Sequence, residues 1–403
     1  MTHVLFLLNS ATGGATLSAI AVMEGLRQRG YRCYVIVPPG PAAALDAIRA
    51  VAADLVEMHV PWWHRKYKSK LIKRPLLWAR DMLQSGFHLR TVGQIVRLIR
   101  QWRIDIVHTN TALTLDGALA ARVTGTPHVW HIREPIGRDQ LVRFWLPERP
   151  CAGLFARLSQ AIIANSCDTK RFFDRTGYGH RVDMVYNGIN VEEFTTASAG
   201  DLLRQDWGIQ PGEIVVGMVA NLTARWKRHD IFLRAAAEVL RAQPAARFVM
   251  VGQDPDRQGG FRSELEYARQ LKALAKELGV AERIVWAGHV QDIPAAMHAI
   301  DILVHTCGQE SFGRVAVEGM ASSRPVIGAA SGGLPEIIVP GQTGFLVAND
   351  DPSGYAAATL RLIEDPELRR QLGAAGAARA RDVFSADQMV QRITEVYQRI
   401  LAT

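Results

Sequence analysis

Two apolar runs of strand length, each leading through small residues into a stretch of helical period, limit what this chain can fold into. Near the start, Val4-Leu5-Phe6-Leu7-Leu8 passes through Ser10-Ala11-Thr12-Gly13-Gly14-Ala15 into a helical pattern carrying Leu17, Ile20, Ala21, Met23 and Leu26. Gly30-Tyr31 closes that helix, and residues 34–37 form the next strand. The same pattern begins again at Ile214-Val215-Val216-Gly217-Met218-Val219. Further strand candidates lie at 104–108, 128–132, 161–166, 248–252, 284–288 and 302–305, and from Tyr355 onward the chain reads as helix. The class is therefore α/β, built as two Rossmann-like halves. A chain of 403 residues can supply two full cores. The join falls around residues 190–212, giving domains at 1–195 and 196–384 and a last helix at 385–403. Met389, Ile393, Val396, Tyr397 and Ile400 of that helix share one stripe, which reads as core.

Charge and cysteine usage narrow the class further. The net charge of +8 is uneven: residues 1–200 hold 25 Lys and Arg against 15 Asp and Glu, and residues 201–403 hold 22 against 24. The basic excess is thus N-terminal. It concentrates in residues 61–80, which contain seven Lys or Arg, three Trp, one Tyr and no acid. That is the composition of a stretch that lies on an anionic membrane surface, of a solvated loop, or of a groove for an anionic acceptor. One local block is not the pattern of a nucleic-acid reader, and no nucleic-acid partner is expected. Four cysteines without C-x-x-C or metal-ligand spacing read as reduced thiols, and a five-residue apolar run after Met1 is too short for a signal peptide. The expected location is cytoplasmic, and on the membrane-surface reading of residues 61–80 it is peripheral at the inner face of the membrane.

The stretch with the most chemistry is Glu310-Ser311-Phe312-Gly313-Arg314-Val315-Ala316-Val317-Glu318. It follows the strand at 302–305, and a helix is expected to open near Phe312-Gly313. The first N–H groups of such a helix have no partner inside it, and Gly313 leaves bare backbone for a phosphate to approach. Glu318 sits among Val317, Gly319 and Met320, where an unpaired carboxylate would be costly. From Glu310 to Glu336 the chain resembles the signature of the retaining glycosyltransferases of family 4 (group 1), of the GT-B superfamily: two Glu eight apart with Phe312-Gly313 between them, then Pro325-Val326, Gly332-Gly333 and Pro335-Glu336. Gly319 stands where the family usually has Ala, a change expected to be harmless in packing. The resemblance extends through most of the chain.

It implies a GT-B fold, two Rossmann-like domains facing each other over a cleft, with the final helix crossing back to the N-terminal one. By the family's roles, Glu310 binds the donor sugar, Glu318 the ribose hydroxyls, and Ser311, Phe312, Gly313 and Arg314 the phosphate side of the donor. Lys227 matches the lysine that neutralises the diphosphate; Ala220-Asn221 replaces the family's Gly-Arg, leaving either Arg225 or Asn221 to make the second diphosphate contact. Gly13 and Gly14 resemble the N-terminal glycine loop, His131 the active-site histidine, and the backbone around Gly288 and Val290 the wall for the nucleotide base. Arg133 is a candidate for acceptor contact. The catalytic set is then Glu310, Lys227, His131 and Arg225. No metal and no cofactor are implied; the donor is a nucleotide-diphosphate sugar and the acceptor a sugar, lipid-linked or otherwise anionic. The product would belong to cell-surface polysaccharide or glycolipid synthesis. A sugar-nucleotide epimerase of the same architecture and a non-catalytic binder of anionic polymers are the rival readings.

Overall fold

The computed structural model describes residues 1–65, 74–137, 140, 142–144, 146–196, 199–258 and 261–402, without the side chains of 64–87, 257 and 258. The membrane-surface reading of 61–80 therefore falls mostly outside the described residues. The chain forms two compact units, one of Met1–Gly188 with Ala386–Thr403 and one of Ile189–Ser385. Residues 189–195, counted with the first domain in the sequence reading, belong to the second unit. The reason is visible in the chain's entry and exit: Ile189 donates its N–H to the Phe384 carbonyl at 2.9 Å, and the buried Phe194 offers its carbonyl to His298 Nε2 at 2.9 Å.

In the first unit the strands are β1 (His3–Leu7), β2 (Arg32–Val37), β3 (Asp54–Glu57), β4 (His64–Arg65), β5 (Ile106–Thr109), β6 (His128–Ile132), β7 (Arg143–Phe144), β8 (Ala161–Ala164) and β9 (Val182–Met184). Seven of them make one sheet in the order β3-β2-β1-β5-β6-β8-β9, parallel throughout, while β4 and β7 form a short antiparallel ribbon. The second unit contributes β10 (Val215–Val219), β11 (Arg247–Val251), β12 (Ile284–Gly288), β13 (Ile302–His305), β14 (Val326–Ala329) and β15 (Gly344–Val347), ordered β12-β11-β10-β13-β14-β15 and again all parallel. Strands this apolar are buried on both faces, which parallel sheets require because their crossovers put helices on each side.

Both sheets reverse their winding once, between β1 and β5 and between β10 and β13. Open α/β sheets bind ligands outside the carboxyl ends of the strands at that switch. The first unit therefore offers the loops after Leu7 and Thr109, and the second the loops after Val219 and His305. The helix Ala386–Leu401 belongs to the first unit: Met389, Val390, Ile393, Val396, Tyr397 and Ile400 join Val4, Phe6, Val22 and Met23 in one core. No described helix is long and apolar enough to cross a membrane.

Candidate active site

The loops at the switch of the second unit converge on one carboxylate. After β10 the chain turns through Asn221 to Ala224 and a single 3₁₀ turn, Arg225–Lys227, before the helix His229–Ala242. Thr306, just past β13, donates its hydroxyl to the carbonyls of Lys227 and Arg228 at 2.7 and 2.9 Å and so fixes that turn against the neighbouring loop. Lys227 Nζ then reaches Glu310 Oε2 at 2.5 Å, and His305 Nε2 lies 3.1 Å from the same oxygen. Burial alone would raise the Glu310 pKa, but the Lys227 charge and the His305 hydrogen bond outweigh it and hold the carboxyl well below the usual range. His305 is kept neutral chiefly by its own burial. An ionised carboxylate only accepts, so His305 donates from Nε2.

His305, Cys307 and Glu310 present ligand atoms within 4.8 Å of one another. The set nonetheless suits an ammonium better than a dication. Glu310 is already neutralised by Lys227, and burial, with the Glu310 charge behind it, pushes the Cys307 thiol up to about 11.

Close backbone packing explains the glycines of the central stretch. Gly313 caps the helix Arg314–Ala321 at φ 105°, and a Cβ there would stand 2.6 Å from Leu334 Cδ2. A Cβ on Gly332, at φ 62°, would meet the Glu310 carbonyl oxygen at 2.3 Å, and one on Gly333 the Ser311 carbonyl at 2.8 Å. With the Gly333 N–H donating to the Glu310 carbonyl at 2.8 Å, the glycine pair is a backbone cradle for the Glu310 loop. At Gly319 a Cβ would lie 2.4 Å from Leu303 Cδ2, the end of a side chain that can turn aside. Phe312 is buried, its ring 5.8 Å from that of Phe384, and serves packing.

Other residues expected at the donor site belong to the same unit. Glu318 is only 6% exposed and accepts from Arg314 Nε at 2.7 Å, one helical turn back; burial raises its pKa more than Arg314 lowers it. Arg225 is exposed and stacks its guanidinium 4.6 Å over the Tyr267 ring, while Asn221 accepts the Gln253 N–H at 2.9 Å and so ties the loop after β10 to the loop after β11. Gly288 ends β12 at φ 74° and accepts the Gly252 N–H at 2.8 Å, and Val290 follows, half-buried.

The first unit holds the remaining candidates. Gly13 caps the long helix Gly14–Gln28 at φ 99° with open space beside it. Next to this loop lies a cavity of about 460 Å³ lined by Ser10, Thr12, Pro39, His59, Pro61 and Trp62, the last 45% exposed; no Lys, Arg, Asp or Glu lines it among the described residues. His131, at the end of β6, is fully buried beside His108, whose Nε2 is 3.2 Å from His131 Nδ1. Arg133 turns inward, away from the acceptor role expected of it: Nε donates to Asn110 at 2.7 Å, Nη1 to Asn187, and Nη2 approaches His131 Nδ1 at 3.4 Å. Sequence reasoning missed His305, His108, Asn110 and Asn187. The available signal was a polar residue closing or following an apolar strand at the end where such sheets bind ligands.

This pair of doubly wound units is the GT-B architecture of known glycosyltransferases. The Anabaena protein Alr3699/HepE, solved with UDP and glucose, superposes with a TM-score of 0.80 at 24% identity over 99% of this chain and 100% of that one. Sucrose-phosphate synthase from Thermosynechococcus elongatus gives 0.76 at 18%, over 100% of both. Residues 201–379 match the family model "Glycosyl transferases group 1" and residues 12–193 the model "Glycosyltransferase Family 4". The D-inositol 3-phosphate glycosyltransferase of Streptomyces scabiei is 31% identical over 310 residues, which are 74% of this chain and 68% of that protein. The Streptomyces avermitilis enzyme of the same name is 31% identical over 73% of this chain, and the match spans 65% of its length. The chain belongs to the group 1 glycosyltransferases, family 4.

Proposed function

We propose that this protein is a retaining, metal-independent glycosyltransferase that moves a sugar from a nucleoside-diphosphate sugar to an acceptor hydroxyl. The half-buried Lys227–Glu310 pair, at the winding switch of the second sheet, is the observation that carries the reading. Glycosyl transfer leaves negative charge on the departing diphosphate, and a preorganised ammonium there stabilises it where water would have to reorient. Arg225 and the first N–H groups after Gly313 add positive potential on the same unit. Glu310 offers its carboxylate to sugar hydroxyls and Glu318 to the ribose. The relatives named for D-inositol 3-phosphate and the UDP-bound Anabaena protein support a nucleotide-sugar donor and a polyhydroxylated acceptor.

For the acceptor, the cavity beside Gly13 combines hydroxyl groups with the exposed face of Trp62, which suits a sugar ring. The basic run that follows Trp62 and Trp63 in sequence supplies the charge for a phosphate or an anionic lipid headgroup. The protein would then work at the inner face of a membrane, on cell-surface polysaccharide or glycolipid.

The test is a panel of nucleotide sugars scored by thermal stabilisation, since a ligand of the native state raises the midpoint with its affinity. Transfer is then assayed to neutral and phosphorylated acceptors, with NMR assignment of the anomeric product. One nucleotide sugar should stabilise the protein and give an anomer of retained configuration. Inverted product would refute retention, conversion of the donor without acceptor would make the protein an epimerase, and no stabilisation by any nucleotide sugar would sink the donor site.

A further inference from the structure

A hydrogen-bonded chain inside the first unit runs from the C-terminal helix to His131. Tyr397 Oη lies 2.6 Å from His108 Nδ1, and His108 Nε2 lies 3.2 Å from His131 Nδ1. All three side chains are fully buried, and Phe6 stacks on the His108 ring at 4.7 Å, fixing its plane. Either imidazole contact could run in either direction by itself, because a neutral ring has one donor and one acceptor nitrogen. Arg133 decides the direction. Its guanidinium has donors only and sets Nη2 3.4 Å from His131 Nδ1, so Nδ1 must present a lone pair.

The rest follows in sequence. Burial first, and the Arg133 charge second, keep both rings neutral. A neutral His131 that accepts at Nδ1 carries its proton on Nε2. His108 must then donate from Nε2 and accept at Nδ1, and Tyr397, whose hydroxyl burial keeps protonated, must be the donor to it. His131 Nε2 is itself buried with no hydrogen-bond partner among the described residues. A buried N–H left unmet is costly, and a site that retains one gains when a ligand oxygen meets it.

We propose that Tyr397 is a positioning residue: by donating to His108 it holds from the far end the same Nε2–H tautomer of His131 that Arg133 sets at the near end, so that His131 offers a fixed donor to a hydroxyl oxygen of a sugar bound to the first unit. In this state His131 is no base, because its one lone pair is already taken by His108 and Arg133. The tautomer stands on the geometry alone; its effect on turnover rests on the glycosyltransferase reading above.

The experiment has two arms. In the first, ¹⁵N-histidine labelling and two-bond ¹⁵N–¹H correlation spectra of the whole, unliganded protein report which nitrogen of each ring is protonated, with His131→Gln and His108→Gln spectra assigning the signals. His131 should carry its proton on Nε2, and a proton on Nδ1 would overturn the proposal with no substrate present. In the second arm, Tyr397→Phe keeps the ring but removes the donor, and should lower turnover roughly ten-fold while blurring the His108 tautomer. His108→Gln restores the same polarity, since its carboxamide oxygen accepts from Tyr397 and its N–H donates to His131; turnover should stay within about three-fold of wild type. His108→Glu, which when ionised accepts at both ends, should lose roughly ten-fold or more. Wild-type turnover in folded Tyr397→Phe, or equal damage from Gln and Glu at 108, would overturn the positioning role. A wild-type protein with the stated tautomer that turns over no nucleotide sugar would refute the transferase reading instead.

Discussion

Removing Lys227 should cost the second unit stability as well as turnover, and a paired variant separates the two. Lys227 Nζ lies 2.5 Å from Glu310 Oε2, with the two side chains 21% and 16% exposed. Deleting one member of such a pair typically costs about 3–5 kcal/mol, because the survivor keeps its desolvation penalty and loses its partner. The residual exposure places Lys227→Met near the lower end, at about 3 kcal/mol. Glu310→Gln should cost a similar amount, since it leaves the half-buried ammonium without its counter-charge. Combining them removes both charges, so the double variant should be more stable than the sum of the singles predicts by about 2 kcal/mol. Turnover should not recover. A cation lost from the leaving diphosphate is worth about 3 kcal/mol, more than 100-fold in rate, and removing Glu310 cannot replace it. Urea unfolding followed through Trp207, Trp226 and Trp286, all in the second unit, gives the stabilities, and initial rates with the donor identified by stabilisation give turnover. Additive stabilities would show that the pair is not coupled. Near-normal rates in Lys227→Met would remove it from the leaving-group site.

Four further outcomes are expected. The Glu310 carboxyl is held below its ordinary range, so the pair's stabilisation is present above the unfolded carboxylate pKa and is lost as pH falls through the folded one; the melting midpoint of wild type should drop more steeply below about pH 4 than that of Glu310→Gln, and parallel curves would refute this. Gly332→Ala forces a Cβ to within 2.3 Å of the Glu310 carbonyl at a left-handed backbone position, so it should lower stability by about 1–3 kcal/mol and reduce donor binding, whereas unchanged donor affinity would show that the cradle does not set the Glu310 loop. Activity should survive excess chelator; loss that magnesium or manganese restores would mean that the cation set of Lys227 and Arg225 is insufficient. The seven basic residues of 61–80 should carry the protein onto anionic but not zwitterionic vesicles, with release as salt approaches 0.5 M, where screening shortens to about 4 Å. Pelleting that persists after Lys66, Lys68, Lys70 and Lys73 are changed to Gln would move the contact elsewhere.

The sequence by itself determined what depends on local period and on motif. Runs such as Val4 to Leu8 and Ile214 to Val219 are too apolar to be exposed, and their alternation with helical stretches makes a parallel α/β fold the economical solution. Lys227, Glu310 and Gly313 could be picked out because a resemblance in spacing marks them, and they fall at the winding switch of the second sheet. The stripe of Met389, Ile393, Val396, Tyr397 and Ile400 was legible as core. The tertiary structure alone decided which polar groups meet. Tyr397 and His108 are 289 residues apart and touch because the last helix returns to the first unit, while His108 and His131 touch because β5 and β6 are neighbours in the sheet. Arg133 looked free for a substrate until Asn110 and Asn187, from two other segments, took its donors. Hydrogen-bond direction, burial of charge and close approach are pairwise properties of residues far apart in the chain, and a periodic pattern carries no record of its partner.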